Sequence, residues 1–486
     1  MAAHRSLFNR TLRRLSQAWS DLHMGSRSDR YVFDPALNEQ DVARIRSLIH
    51  HCLHTSGGEL AARAEAARIG QAYMSLNQQG RIRFLRLLAT DFDADTKTVA
   101  HAISAYNKAK HGDNMTKLRH KLRQALVAPR AQLLTLFNAL PEGIKFLVDM
   151  RGELLETNSD KDPDLSEVER DLKHLLASWF DIGFLQLEQV SWNSPAALLE
   201  KLIEYEAVHE ITSWADMKNR LAPDRRLFTF LHPNMAGEPL IFVQVALVNG
   251  LATNVQVLLN PTRSLDSQQA DTAIFYSISN AQRGLSGISF GNYLIKRVVA
   301  KLKHELPQLT QFATLSPVPG FMFWLKEKMQ EGTDNLLKSY ESQAITQIAT
   351  QLGVDKTLGA LLALTAWHQN DALTQVLQPI LQRLCADYLS EWLPDKMRAR
   401  DGVAHFHLSN GATLQQLNWM ADVSPKGIRQ SCGLMVNYLY DPFTIDSNSE
   451  RYMQTGCIAQ SVAIRELRKE KPPKPSRQPQ PTPARS

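Results

Sequence analysis

Residues 273–307 read AIFYSISNAQRGLSGISFGNYLIKRVVAKLKHELP, and this run decides the fold. Its first part, Ala273-Ile-Phe-Tyr-Ser-Ile-Ser279, is apolar, aromatic and β-branched, which predicts a strand. A glycine-punctuated loop follows, Arg283-Gly-Leu-Ser-Gly-Ile-Ser-Phe-Gly291. Helical spacing begins at Asn292, a fitting N-cap, and places Leu294, Ile295, Val298, Val299, Leu302 and Leu306 on a buried face until Pro307 stops it. A turn of this kind presents backbone N–H groups and a helix dipole suited to a pyrophosphate. Glycines at 284, 287 and 291 permit positive φ and close backbone approach. Many strand–turn–helix connections carry glycine and bind nothing, so the pattern alone nominates the loop without assigning it. Gly287-Ile-Ser-Phe-Gly291 also matches the G-x-S-x-G nucleophile elbow. An elbow needs its serine directly after a strand, and here several loop residues intervene before Ser289.

Outward from this run, the two halves of the chain differ in texture. From about 35 to 180 helical periodicity dominates, as in RIRFLRLLATD (81–91) and AQLLTLFNALPEGIKF (131–146). Beyond 180, strands are expected at Leu227–Leu231, Leu240–Val248, Asn254–Leu259, Ala273–Ser279 and Gln311–Leu315. A helical stretch follows from Asp334 to Leu389, then a mixed segment from Val403 to Tyr440. This order argues α+β rather than a βαβ array. The expected division is a helical domain over 1–180, a mixed domain over 181–466 and a disordered tail over 467–486. Six prolines fall in the last fifteen residues of that tail.

At 486 residues, 44% apolar and 21% charged, the composition is that of a soluble globular chain, and no apolar run reaches the length of a membrane span. The net charge of +6 sits at the ends: +4 on residues 1–30 and +5 on 468–486, leaving −3 for the body. Nucleic acid is therefore not an expected partner. Cys52, Cys385, Cys432 and Cys457 form no C-x-x-C pair and read as buried reduced thiols of a cytosolic-type compartment. Phe8, Leu12, Leu15, Trp19 and Leu22 share a helix face in an arginine-bearing N-terminus. That pattern fits a mitochondrial presequence and equally a first helix docked on its own domain. The ending Ala484-Arg485-Ser486 is not a peroxisomal signal.

Two further segments carry candidate chemistry. In Ala313-Thr-Leu-Ser-Pro-Val-Pro-Gly-Phe321 a strand ends at Ser316, and two prolines fix the exit, which aims the hydroxyl toward a cleft; a plain turn serine has the same look. In Val403-Ala-His-Phe-His-Leu-Ser-Asn-Gly-Ala412, His405 and His407 alternate and would share one face of a strand. Spacing does not choose between them, and no matching ligand set makes them a metal pair.

Taken in order, GEPLIFVQVAL (237–247), AIFYSIS (273–279), GNYLIKRVV (291–299), LSPVPGF (315–321), HFHLSNGA (405–412) and NWMADVS (418–424) resemble the malonyl-CoA decarboxylase family. The resemblance implies an all-helical N-terminal bundle followed by a GNAT-like acetyltransferase fold with a helical insert. It implies that Ser316 and His407 are catalytic and that Ser286, Gly287, Ile288, Ser289, Phe290, Gly291 and Asn292 form the acyl-CoA loop. Some relatives carry Glu where this chain has Ser289, so no acid–base duty falls there.

The implied reaction turns malonyl-CoA into acetyl-CoA and CO2. The thioester is its own electron sink, so neither metal nor cofactor is expected; what is needed is oxyanion stabilisation and a proton for the α-carbon. The other expectations are a cytoplasmic enzyme, with the mitochondrial matrix as alternative, no membrane partner, and a homo-oligomer (dimer or tetramer) built on the helical half. Arg283, Lys296, Arg297 and Lys301 read as solvated charges. An acyl-CoA acyltransferase, a thioesterase using Ser289 and a non-enzymatic helical scaffold are the rival readings.

Overall fold

The computed structural model describes Trp19 and residues 32–55, 58–109, 114–157, 162–180, 182–260, 266–288, 293–332 and 336–469. It divides into two compact units. One comprises Met1–Ser213, Phe228–Phe242 and Ser279–Phe290; the other comprises Trp214–Leu227, Val243–Ile278 and Gly291–Ser486.

Among the described residues the first unit opens with the helices α1 (Glu39–His54), α2 (Gly58–Ser75), α3 (Gln78–Asp91), α4 (Thr96–Lys108), α5 (Met115–Ala125), α6 (Pro129–Asn138), α7 (Gly143–Glu156) and α8 (Pro163–Trp179). Asn38, Asn77, Asp95, Asn114 and Asp162 cap helix starts by accepting from backbone N–H groups two or three residues on. Each cap contributes about 1 kcal/mol. Tyr73, Phe84, Phe137 and Phe146 meet edge-to-face in the core. The periodic stretch 131–146 is two helices rather than one. Pro141 cannot continue α6, Glu142 turns through φ +53°, and a β-carbon on Gly143 would lie 1.8 Å from the Phe137 carbonyl oxygen. Trp19 is fully buried in this unit, over Gly70, and donates to the Pro141 carbonyl at 2.8 Å. The rest of the N-terminal amphipathic pattern and the proline-rich tail lie outside the described residues.

The later elements are β1 (Gln186–Val190), α9 (Ala196–Tyr205), α10 (Trp214–Arg220), β2 (Arg225–Leu231), β3 (Ile241–Val248), α11 (Val255–Leu259), β4 (Thr272–Asn280), α12 (Tyr293–Glu305), β5 (Gln311–Thr314), β6 (Ser316–Pro317) and α13 (Phe321–Glu331). They continue with α14 (Ser339–Leu352), α15 (Leu358–Ala363), α16 (Asp371–Leu389), β7 (Trp392–Leu393), β8 (Arg398–Ala399), α17 (Gly402–Ser409), β9 (Thr413–Asn418), α18 (Pro425–Ser431), β10 (Met435–Leu439), α19 (Ile445–Thr455) and α20 (Val462–Arg468). One sheet runs β1-β2-β3-β4-β5-β10-β6, with β9 also on β10, and β7 and β8 form a separate ribbon. β4 and β5 are parallel, joined through α12, whereas β10 is antiparallel to β5, β6 and β9. The chain is thus mixed α+β, with its helical region first.

Two expected strands are helices. The stretch from Asn254 folds as α11 because the Asn254 side chain caps it, accepting from Val257 N–H at 3.1 Å and donating to the Met420 carbonyl. His405 and His407 lie on α17, which Asp401 caps in the same way through Ala404 N–H at 2.8 Å. Among the described residues no helix is long and apolar enough to cross a membrane. Cys52, Cys385 and Cys432 are buried, but Cys457 is at the surface, against the expectation for all four.

Candidate active site

Ser316 sits at a break in a strand. β5 ends at Thr314, Leu315 N–H bonds the Phe275 carbonyl of β4, and the chain re-pairs at Ser316, opposite Val436 of β10. Pro317 and Pro319 lead away to α13, as the sequence predicts for a rigid exit. β10 supplies the opposing wall: Tyr438 lies on it and Tyr440 one residue past its end, and both reach His407.

Residues two apart on a helix point in different directions, so α17 separates the histidines. His405 turns to Tyr452, with Nδ1 and the phenol oxygen 2.8 Å apart; burial, and then Arg398, lower its pKa. His407 turns inward, 3% exposed, with Nε2 3.1 Å from Ser316 Oγ and Nδ1 2.7 Å from the Tyr440 hydroxyl. Its ring stacks on Tyr438 at 4.5 Å. The choice that spacing leaves open is made here by contact: of the two, His407 meets Ser316.

The protonation pattern follows from burial. With no countercharge, the cost of desolvating an imidazolium holds His407 down to about 3, so it is neutral. Burial pushes the Tyr440 phenol well above its ordinary range, so it stays protonated. Ser316 Oγ donates to Thr314 Oγ1 at 2.9 Å, so it accepts from His407 Nε2–H; the imidazole proton is then on Nε2, and Nδ1 accepts from the Tyr440 hydroxyl. Tyr438 N–H also bonds that Thr314 oxygen, at 3.1 Å. The result is one directional chain, Tyr440 to His407 to Ser316 to Thr314, made of uncharged groups. No carboxylate contacts His407 among its described hydrogen bonds, which distinguishes the set from a hydrolase triad.

Asp401 ties the two arms together. It caps α17, and it accepts from the Tyr388 hydroxyl at 2.9 Å and from the backbone of Gly320, just past the Ser316 turn. Burial raises its carboxyl pKa against the pull of these donors. Gly320 has no room for a side chain, since a β-carbon would lie 2.1 Å from the Tyr388 oxygen.

The glycine loop belongs to the other unit and is anchored on α7. A β-carbon on Gly284 would fall 1.7 Å from the Val148 carbonyl oxygen, so this glycine serves close approach. Buried Arg151 bonds the Gly284 carbonyl and also grips Glu169 through Nε at 2.9 Å and Nη2 at 2.6 Å. Gly287 takes φ +72°, as its place in the loop predicts. The expectation of unpaired N–H groups needs correcting: those of Leu285, Ser286 and Ile288 are engaged inside the turn, with Gln282, Arg283 and Leu285 carbonyls. Ser286 and Gly287 are exposed and Ile288 is buried. Ser289, Phe290, Gly291 and Asn292 lie outside the described residues, so the elbow motif has no geometry to weigh. Arg283 pairs with Glu156 and Lys296 with Asp446, all at the surface. Among the described residues, no cluster of three or more His, Cys, Asp or Glu could hold a metal ion.

Sequence reading missed Thr314, Tyr438, Tyr440, Asp401 and Arg151. The alternation of tyrosines in MVNYL-Y and the Asp-Gly start of α17 were available signals; the role of Arg151 depends on a partner 133 positions away and had none.

Comparison with known proteins gives the chain its relatives. A family model described as malonyl-CoA decarboxylase C-terminal domain matches residues 183–478, and one described as malonyl-CoA decarboxylase N-terminal domain matches residues 92–180. The mitochondrial malonyl-CoA decarboxylase of Anser anser anser is 39% identical over 401 residues, covering 79% of each chain. That of Mus musculus is 39% identical over 404 residues, covering 80% of this chain and 81% of its own. The crystal structure of malonyl-CoA decarboxylase from Rhodopseudomonas palustris superposes with TM-score 0.80 at 39% identity, over 87% of this chain and 99% of that one. The one from Agrobacterium vitis gives 0.78 at 40%, over 88% and 100%. By sequence and by fold alike, this chain belongs to the malonyl-CoA decarboxylase family.

Proposed function

We propose that this chain decarboxylates malonyl-CoA to acetyl-CoA and CO2, with Ser316 and His407 as its catalytic residues. The observation that carries the mechanism is the uncharged donor chain ending at His407 Nε2 and Ser316 Oγ. A hydrolase would need His407 to take the serine proton, and a base held down to about 3 is poorly suited to that. Two neutral donors suit an arriving malonyl carboxylate instead. They orient it out of the thioester plane, so that the breaking C–C bond aligns with the carbonyl π system. The C–C electron pair then becomes the thioester enolate as CO2 departs. The α-carbon takes a proton from His407 Nε2, directly or through Ser316, and water refills the chain by way of Tyr440.

The loop Ser286–Asn292 holds the coenzyme A phosphates in this reading. The parallel β4–α12–β5 crossover supports a GNAT-like fold for the catalytic domain, 181–466. The helical domain, 1–180, is the scaffold on which a dimer or tetramer assembles, and the enzyme works in the cytoplasm or, with its N-terminus as presequence, in the mitochondrial matrix.

Incubation with malonyl-CoA alone, followed by mass spectrometry, tests the reaction. Acetyl-CoA in step with CO2 is expected, with one deuterium in the methyl group when the solvent is D2O. Malonate and free CoA would mean hydrolysis, and would overturn the reading.

A further inference from the structure

α8 runs beside the glycine loop, and its cations are engaged with one exception. Arg170 pairs with Glu167 one turn earlier. Lys173 stands four residues after Glu169, an arrangement that ordinarily makes an ion pair along a helix. Arg151 has taken that carboxylate from the core side, with two of its nitrogens on one oxygen. Lys173 is exposed, and among the described residues its ammonium has no hydrogen bond or ion pair. It extends over the loop instead: Nζ lies 3.4 Å, and Cε 3.7 Å, from where a β-carbon on residue 287 would stand. The neighbouring loop cation, Arg283, is spent on Glu156. At the left-handed Gly287 a side chain would strain the backbone and its β-carbon would stand in van der Waals contact with the lysine end.

An unpaired ammonium over the exposed, side-chain-free backbone of Gly287, next in sequence to the exposed Ser286, is a site for a phosphate oxygen. We infer that Lys173, contributed by the helical region, binds a phosphate of the coenzyme A end of the substrate beside Gly287. This rests on reading the loop as the acyl-CoA loop, and it adds to that loop a residue more than a hundred positions upstream. The arrangement also gives Arg151 a further duty: by holding Glu169 it leaves Lys173 free for the ligand.

The test compares malonyl-CoA with malonyl-pantetheine, which carries the same acyl thioester and lacks every phosphate. In Lys173→Ala the KM for malonyl-CoA should rise about tenfold with kcat within twofold of the parent, as expected for one lost charge-assisted contact made equally in ground and transition states. KM for malonyl-pantetheine should be the same in both proteins. Lys173→Arg should recover most of the affinity, and Lys117→Ala on α5 serves as the control for a lost surface charge. An unchanged KM for malonyl-CoA, or equal losses on both substrates, would overturn the inference. Calorimetric titration of free CoA into parent and variant gives an answer that does not depend on turnover. Weaker binding by Lys173→Ala supports the site even if the reaction proves different, and equal binding rejects it even if decarboxylation is confirmed.

Discussion

Around α7 in the helical unit, burial is managed with charge. Arg151 grips Glu169, Lys145 pairs with Asp149, and Arg81 meets Glu153, which also accepts from Tyr73 at 2.7 Å. Around β10 in the sheet unit it is managed with neutrality: Ser316, His407, Thr314 and Tyr440 are joined by hydrogen bonds between uncharged groups. The first solution locks a scaffold, because each ion needs its partner in place to offset desolvation. In the proposed reaction the second keeps a place for a charge that arrives with the substrate. A resident carboxylate beside Nε2 would repel the malonyl group, and a resident imidazolium would hold it without needing the reaction to proceed.

The contrast breaks most sharply at the pair itself. Replacing His407 or Ser316 by Ala should lower kcat by about 10³-fold or more while calorimetric CoA binding persists; normal turnover in either variant would sink the assignment. On the charged side, Arg151→Ala should destabilise the fold by about 1–3 kcal/mol, since the Gly284 carbonyl loses its donor while Glu169 can turn to Lys173 four residues on. Glu169→Gln, which keeps the bond to Gly284, should cost less, and thermal unfolding of the two variants makes the comparison. Tyr440→Phe removes the donor to Nδ1 and frees the imidazole tautomer, which should reduce kcat by about tenfold with the fold intact by circular dichroism.

The neutral side also predicts a pH response. The folded pKa of His407 lies below its unfolded value of 6.5, at about 3, so between these values the unfolded chain binds the extra proton. Its contribution to stability is complete above pH 6.5 and is lost as pH falls through this window. His407→Gln should therefore flatten the decline in stability between pH 6.5 and 4, measured by denaturant unfolding. The free parent enzyme should show no inflection in kcat/KM near 6.5 from this residue; one that disappears in His407→Gln would show an imidazole that titrates normally, against the neutral chain.

Much of this was legible in the residues and some was not, for reasons that are local. Strands at 225–231, 241–248, 272–280 and 311–314 declared themselves by apolar, β-branched runs buried in the sheet. The stretch Val403–Ala412 did not, because His-Phe-His-Leu alternates like a strand, while the deciding signal was the Asp401 cap, which costs the helix only one residue to specify. Asn254 misled in the same way. Ser316 was findable from the Ser-Pro-x-Pro turn and His407 only as one of two; the Tyr440 and Thr314 partners come from strand register, which pattern alone does not fix. The bonds that hold the glycine loop join segments far apart in sequence, beyond the reach of periodicity.

Trp19 has a consequence for how the chain could be processed. Its ring fills the space over Gly70 and its indole N–H is bonded to Pro141, so a protease that cut on its C-terminal side would remove a piece of the helical core. Any maturation of the N-terminus therefore has a boundary here: trimming past Trp19 opens a cavity the size of an indole.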